Sequence, residues 1–152
     1  MSAVARVFVD TNVLVYGHDS ADPVKQTRAQ EVLGTLVEQS DGTLSTQVLG
    51  ELFAVASRKF RRRLSPATAA EEVRNFMTPW PVLPVLPETV LLAVRGVERH
   101  NLSYYDAQIW AAAKLAGIPY VLTEDFSDGL EIEGVRFVDP FAEGFDIETL
   151  LS

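Results

Sequence analysis

The run from Val4 to Val9 is short, apolar and β-branched, and it stops at Asp10-Thr11-Asn12. Such a run reads as one buried strand, and the polar triplet reads as the turn that passes the chain into a helix. Short strands recur at Thr43–Ser45 and Tyr120–Thr123, while the long segments between them carry apolar residues at helical spacing. Parallel strands need a crossover of about a dozen residues or more, usually a helix. A chain that alternates in this way is confined to an α/β fold, with a mainly parallel sheet and helices on both faces.

The boundaries carry their own chemistry. Asp22-Pro23 opens a helix with Pro at its first position, and Val24–Gln39 places Ala29, Val32, Leu33, Leu36 and Val37 on one face. Ser40-Asp41-Gly42 stops it. Ser45 or Thr46 caps a helix to about Arg61, with Val48, Leu49, Leu52, Phe53, Val55 and Ala56 apolar, and Ser65-Pro66 opens another to about Met77. Pro79, Pro81, Pro84 and Pro87 exclude a helix between them and predict an extended stretch, with an edge strand near Val82–Leu86. Glu88–His100 is a helix ending at Asn101, and Ser103–Ala116 is another, stopped by Gly117. Val135–Val138 is the final strand, and Asp139-Pro140 leads into a loose acidic end. No repeat or linker divides the chain, so residues 1–152 read as one domain with its core at about 4–140.

At 152 residues and 47% hydrophobic content the chain can fill a sizeable core. It has no Cys, which excludes disulfide scaffolds, thiolate zinc sites and thiol nucleophiles. Only His18 and His100 offer imidazole chemistry, and both read as surface residues. No apolar run reaches the ~18 residues that span a bilayer, and Asp10 interrupts the early apolar stretch a secretory leader would need. The expectation is a cytoplasmic protein with no membrane contact. The net charge of -8 lies wholly in residues 124–152, which hold nine acids and the single base Arg136. Five of the thirteen bases crowd into Arg58-Lys59-Phe60-Arg61-Arg62-Arg63. Bulk charge therefore opposes non-specific nucleic-acid binding, whereas a local patch or a bound cation permits it.

Doubly wound sheets place their sites at the carboxyl ends of the strands. Asp10 stands at one such end and Glu124-Asp125 at another, while Glu51 and Asp106 each interrupt an apolar helical pattern. Four carboxylates in one cleft cannot all ionise without compensation, and Mg²⁺ or Mn²⁺ supplies it through oxygen ligands. Each acid also has a plainer role. Asp10 fits a helix cap, Asp106 fits a capping-box variant with Ser103, Glu51 fits a half-exposed helix flank, Asp125 fits an ordinary loop, and Asp128 before Gly129 fits a turn.

Taken together, Val-Phe-Val-Asp10-Thr11-Asn12, Thr46-Gln47-Val48-Leu49-Gly50-Glu51-Leu52, Tyr104-Tyr105-Asp106-Ala107 and Leu122-Thr123-Glu124-Asp125-Phe126 resemble the PIN-domain ribonucleases. The resemblance is strongest to the VapC toxins of bacterial toxin–antitoxin modules and spans residues 4 to about 140. It implies a three-layer α/β/α fold and a metal-dependent endoribonuclease. In that family's terms Asp10, Glu51, Asp106 and Asp125 are the catalytic and metal-binding acids, and Thr11, Asn12 and Thr123 orient them. Asp128 falls where some members carry a further acid. The implied cofactor is Mg²⁺ or Mn²⁺, held by Asp10, Asp106 and Asp125 with Glu51 near the attacking water. The implied products are a 5′-phosphate and a 3′-hydroxyl. The implied partners are RNA, a second copy of the chain, and a VapB-like antitoxin protein that blocks the cleft. The acidic end departs from the pattern, either repelling RNA or meeting a partner.

Arg58, Lys59, Arg61 and Arg62 read as a grip on RNA phosphate, or as a solvated helix end whose cations complement the dipole. Tyr104 and Tyr105 read as a base-stacking pair or as partly core, and Trp110 reads as core. Rival readings keep the fold without the reaction, as an RNA-binding or regulatory module, or keep the reaction without an antitoxin, as an RNA-processing nuclease. A dehalogenase-type phosphatase would want Asp at position 12, a receiver domain would want an acidic pair beside Asp10, and no phosphate-binding Gly-rich loop exists.

Overall fold

The computed structural model describes residues 6–60 and 62–152. Along the chain it runs β1 (Val7–Val9), α1 (Thr11–His18), α2 (Pro23–Gln39), β2 (Gly42–Ser45), α3 (Thr46–Arg58), α4 (Pro66–Met77) and β3 (Val82–Leu83). It continues with α5 (Pro87–His100), α6 (Tyr104–Leu115), β4 (Tyr120–Leu122), β5 (Glu131–Ile132), β6 (Val135–Val138) and α7 (Ile147–Leu151).

Helix starts follow from side chains that satisfy free backbone donors. Asp10, Asp22, Ser45 and Ser65 each accept a backbone N–H of the helix they precede. Pro begins α2, α4 and α5, where a missing N–H costs nothing. The α2 and α5 helices end on Ser40 and Asn101 in left-handed conformation.

The strands form one six-stranded sheet in the order β3-β2-β1-β4-β6-β5, parallel except for β5 against β6. The chain walks from β1 to β2 to β3 in one direction, then crosses back to lay β4 on the other side of β1. Helices α1–α4 pack on one another and α5 packs on α6, and the right-handed rule for parallel crossovers assigns the two groups to opposite faces of the sheet. The reversal opens a crevice between the carboxyl ends of β1 and β4, where such sheets bind ligands. Phe8, Val121 and Phe137 sit fully buried in the sheet, with Leu14, Leu36 and Leu52 buried on one group of helices and Trp110 on the other. Gly42 and Gly96 are needed for close packing, since a Cβ at either would fall within 3 Å of the Trp80 or Trp110 ring.

The sequence expectations hold for the order of the strands and helices before residue 124 and need correction at particular points. The edge strand stops at Leu83, ahead of Pro84. The α3 helix stops at Arg58; Arg61 lies outside the described residues. The end is not loose: Asp146 caps α7, Ile147 and Leu151 are buried, and Arg6 donates to the Leu151 carbonyl. A strand before Val135 is present as β5, joined through Glu133 and Gly134, both at positive φ. His18 is exposed, as expected, and stands 3.3 Å from Glu72, whereas His100 is half-buried, 2.7 Å from Glu133 with its ring edge-on to Trp110. On α2 the apolar face is narrower than its spacing suggests, with Val37 46% exposed.

Candidate active site

The register of β1 against β4 sets the site. Val9 lies opposite Leu122, and the Asp10 N–H donates to the Leu122 carbonyl at 3.0 Å. The residues that follow each strand, Asp10 and Thr123, therefore meet at the crevice. Both are buried.

Asp10 caps α1 and is held from three sides. One oxygen accepts the Thr11 N–H at 2.7 Å. The other accepts the Thr123 hydroxyl at 2.9 Å and, more weakly, the Asn12 amide at 3.4 Å. Burial pushes its carboxyl from 3.8 up to about 7, against the stabilising bonds from Thr123 and Thr11, with Asp125 and Glu51 adding repulsion. Asp10 thus caps α1 and at the same time lies buried at the crevice.

Thr11, Asn12 and Thr123 tie the acids together. Thr11 donates its hydroxyl to Glu51 Oε2 at 2.6 Å. The Asn12 amide nitrogen reaches Thr123 Oγ1 at 3.0 Å and Asp125 Oδ2 at 3.1 Å, and its carbonyl accepts the Glu124 N–H at 3.3 Å. The Asp125 N–H closes the loop onto Thr123 Oγ1 at 3.0 Å. A cleft of about 390 Å³ opens over this network, lined by Thr11, Asn12 and Tyr16 on one side, Glu51 and Val55 on another, and Asp125 at the rim.

Asp106 lies in the first turn of α6, half-buried, and takes part in no ion pair among the described residues. Its neighbour Tyr105 and the buried Gln108 reach Gln47 of α3, and Gln47 reaches Glu51. Asp128 stands apart, its carboxylate accepting the Asp139 N–H at 2.9 Å as a turn residue does. Arg58, Lys59 and Arg62 are exposed and take part in no ion pair among the described residues. Tyr105 is exposed while Tyr104 is half-buried.

Sequence reasoning missed Gln47, Gln108 and the Tyr16–Lys25–Glu124 group. Glu124 accepts Lys25 at 2.6 Å and the Tyr16 hydroxyl at 2.7 Å, so it is spent on the cleft wall. Gln47 sits one helical turn before Glu51, and that spacing is the signal that could have found it.

The charge balance decides what the site can bind. Among the described residues no Lys, Arg or His pairs with Asp10, Glu51, Asp106 or Asp125. A buried carboxyl without countercharge is held protonated. Among the described residues, no three His, Cys, Asp or Glu side chains stand close enough to share one cation. Asp106 is half-buried and Asp125 is exposed. In type and charge the set fits a hard divalent cation, since all its donors are oxygens.

The PIN domain family model matches residues 7–127. No curated protein sequence matches significantly. Among solved structures, a VapC toxin from Mycobacterium tuberculosis, described as cleaving the sarcin–ricin loop, is 20% identical with a TM-score of 0.63, covering 76% of this chain and 86% of that one. The DNA-bound VapBC complex of Salmonella typhimurium contains a chain 20% identical with a TM-score of 0.65, covering 89% of this chain and 98% of that one. A protein from Pyrobaculum aerophilum is 18% identical with a TM-score of 0.64, covering 99% and 96%. At these identities the likeness is one of fold. Among the described residues no helix is long and apolar enough to cross a membrane.

Proposed function

The chain belongs to the PIN domain family, and from that premise we propose that it is a metal-dependent endoribonuclease, the toxin of a toxin–antitoxin pair. PIN domains are typically nucleases, and PIN nucleases generally use divalent metals. One observation carries the reading: Asp10 is buried at the β1–β4 crevice, with Glu51 and Asp125 joined to it through shared hydrogen bonds and, among the described residues, no basic side chain paired with them.

Asp10, Asp106 and Asp125 would hold Mg²⁺ or Mn²⁺, with Glu51 beside them. When bound, such an ion acidifies water and neutralises charge building on phosphate. Glu51 keeps a free lone pair on each oxygen after accepting Thr11 and Gln47, so it can take a proton from an attacking water. Thr11, Asn12 and Thr123 would fix the orientation of the carboxylates through the hydrogen bonds they give them. Water as nucleophile needs no ribose 2′-hydroxyl, and the family resemblance implies that the 3′ oxygen leaves, giving a 5′-phosphate and a 3′-hydroxyl. Neither His stands in the cleft lining to serve as the alternative base.

Arg58 lies seven residues beyond Glu51, about 10 Å along the helix and near the same face. That places a free cation one to two nucleotides from the acids, where phosphate contacts position a strand without reading it. With Lys59 and Arg62, and with Arg61 outside the described residues, it forms the proposed grip. The antitoxin is carried over from relatives, of which the Salmonella and Klebsiella pneumoniae structures are toxin–antitoxin complexes, and the homodimer is what the family resemblance implies.

Partner-free protein incubated with total cellular RNA and Mg²⁺ should release discrete fragments with 5′-phosphate ends. Fragments ending in 2′,3′-cyclic phosphate would refute the water mechanism.

A further inference from the structure

Glu51 is fixed from two sides, and only one of them is local. Its Oε1 accepts the Gln47 amide nitrogen at 2.9 Å, and the same nitrogen donates to the Tyr105 carbonyl at 3.1 Å. The Gln47 carbonyl accepts the Gln108 amide nitrogen at 2.9 Å, and the Gln108 carbonyl accepts the Tyr104 hydroxyl at 2.8 Å. No amide in this chain can flip. The Gln47 nitrogen faces a carboxylate and a carbonyl, which only accept, and its oxygen faces an N–H₂. Gln108 is 8% exposed, so breaking its bonds leaves a buried polar group unsatisfied. Gln47 and Glu51 belong to α3, whereas Tyr104, Tyr105 and Gln108 belong to the first turns of α6, on the other side of the sheet. These helices do not pack extensively on each other. The amide chain therefore bridges them at the rim of the cleft, and the α6 turn that it holds is the one that carries Asp106.

We propose that Gln47 and Gln108 are positioning residues of the acid site: they aim the Glu51 carboxylate and hold the Asp106 turn against α3, and so set the affinity for a divalent cation. The inference rests on the metal-binding reading above. It treats two uncharged side chains, neither of them a ligand, as a determinant of the site.

Mn²⁺ binding to the metal-free chain, read by calorimetry or by the electron paramagnetic resonance of the free ion, tests it. Gln47→Ala should weaken Mn²⁺ binding by about tenfold, the lower end of what losing an orienting partner costs. Gln108→Met keeps the volume and removes both bonds, and it should weaken binding less, by about threefold to tenfold. The double variant should bind like Gln47→Ala alone, because the effect of Gln108 runs through Gln47. Melting in EDTA, measured alongside, should place the Gln47 variant within a few degrees of the parent. Unchanged Mn²⁺ affinity in Gln47→Ala would overturn the inference, as would an equal effect of Gln108→Met in both backgrounds. A parent chain that binds no Mn²⁺ would overturn it together with the metal reading, so the two failures are distinguishable.

Discussion

Replacing Asp10 with asparagine should stabilise the metal-free fold at alkaline pH while abolishing the activity. The carboxyl is raised from 3.8 to about 7 in the folded chain. An acid with a raised folded pKa holds its proton more tightly when folded, so its contribution is fully present below pH 4. It is lost as pH climbs toward 7, where the unfolded chain has already released the proton. The difference of about 3 pK units, at 1.36 kcal/mol each, makes the ionised carboxylate a burden of about 4 kcal/mol above pH 7. An amide carries no such burden. It keeps the bond from the Thr11 N–H but turns a donor toward the Thr123 hydroxyl, which already accepts from Asn12 and the Asp125 N–H. That mismatch costs about 2 kcal/mol at any pH. The net expectation is a loss of about 1–2 kcal/mol at pH 4 and a gain of about 2 kcal/mol at pH 8, with a crossover between. For a domain of this size the gain corresponds to about 4–8 °C in Tm. Thermal melts of both proteins in EDTA, at one protein concentration from pH 4 to 8, read the difference directly. A variant less stable than the parent by the same amount at both ends would refute the reasoning, since Asp10 would then ionise freely. Mg²⁺ added at pH 8 should raise the parent's Tm and leave the variant's unchanged.

Other expectations follow from single contacts. Asn12→Ala frees Asp125 and the Glu124 backbone from α1, and should weaken Mn²⁺ binding by about tenfold or more in a titration. Gly42→Ala sets a Cβ 2.4 Å from the Trp80 ring and should cost about 1–3 kcal/mol in denaturant melts. Neutralising Arg58 and Arg62 together should lower the salt dependence of single-stranded RNA binding by a slope of about 1.4, uniformly across sequences; an unmoved slope removes them from the strand's path.

Much of this was legible where local chemistry and long-range packing agree. Asp22-Pro23 and Ser65-Pro66 mark helix starts by capping alone, and the β1 run ends where its first acid begins. The acids Asp10, Glu51 and Asp125 were legible because they interrupt apolar patterns or follow strands. Their joining through Thr11, Asn12 and Thr123 depends on the register of β1 against β4, which no local spacing encodes. The β5 strand escaped notice because it is two residues long and its turn places Glu133, not Asn, at positive φ. That glutamate is fixed by Arg95, His100 and Lys114 from the helices behind it. The acidic end read as loose because its charges look solvated, yet Asp146 caps α7 and Asp139 accepts the Phe141 N–H. Gln47 could be suspected only from its spacing one turn before Glu51, and Gln108 carried no signal, because an uncharged amide on a helix is ordinary until its partner on another helix is known.

The most direct measurement is RNA cleavage by purified, partner-free protein in Mg²⁺, Mn²⁺ and EDTA. Asp10→Asn, Glu51→Gln, Asp106→Asn and Asp125→Asn would run beside an exposed control, Glu143→Gln. Discrete fragments that need the metal, persist in the control and vanish in each acid variant while the fold still melts cooperatively are the predicted result. Cleavage that survives EDTA, or survives loss of Asp10, would contradict a metal-dependent reaction at the β1–β4 crevice.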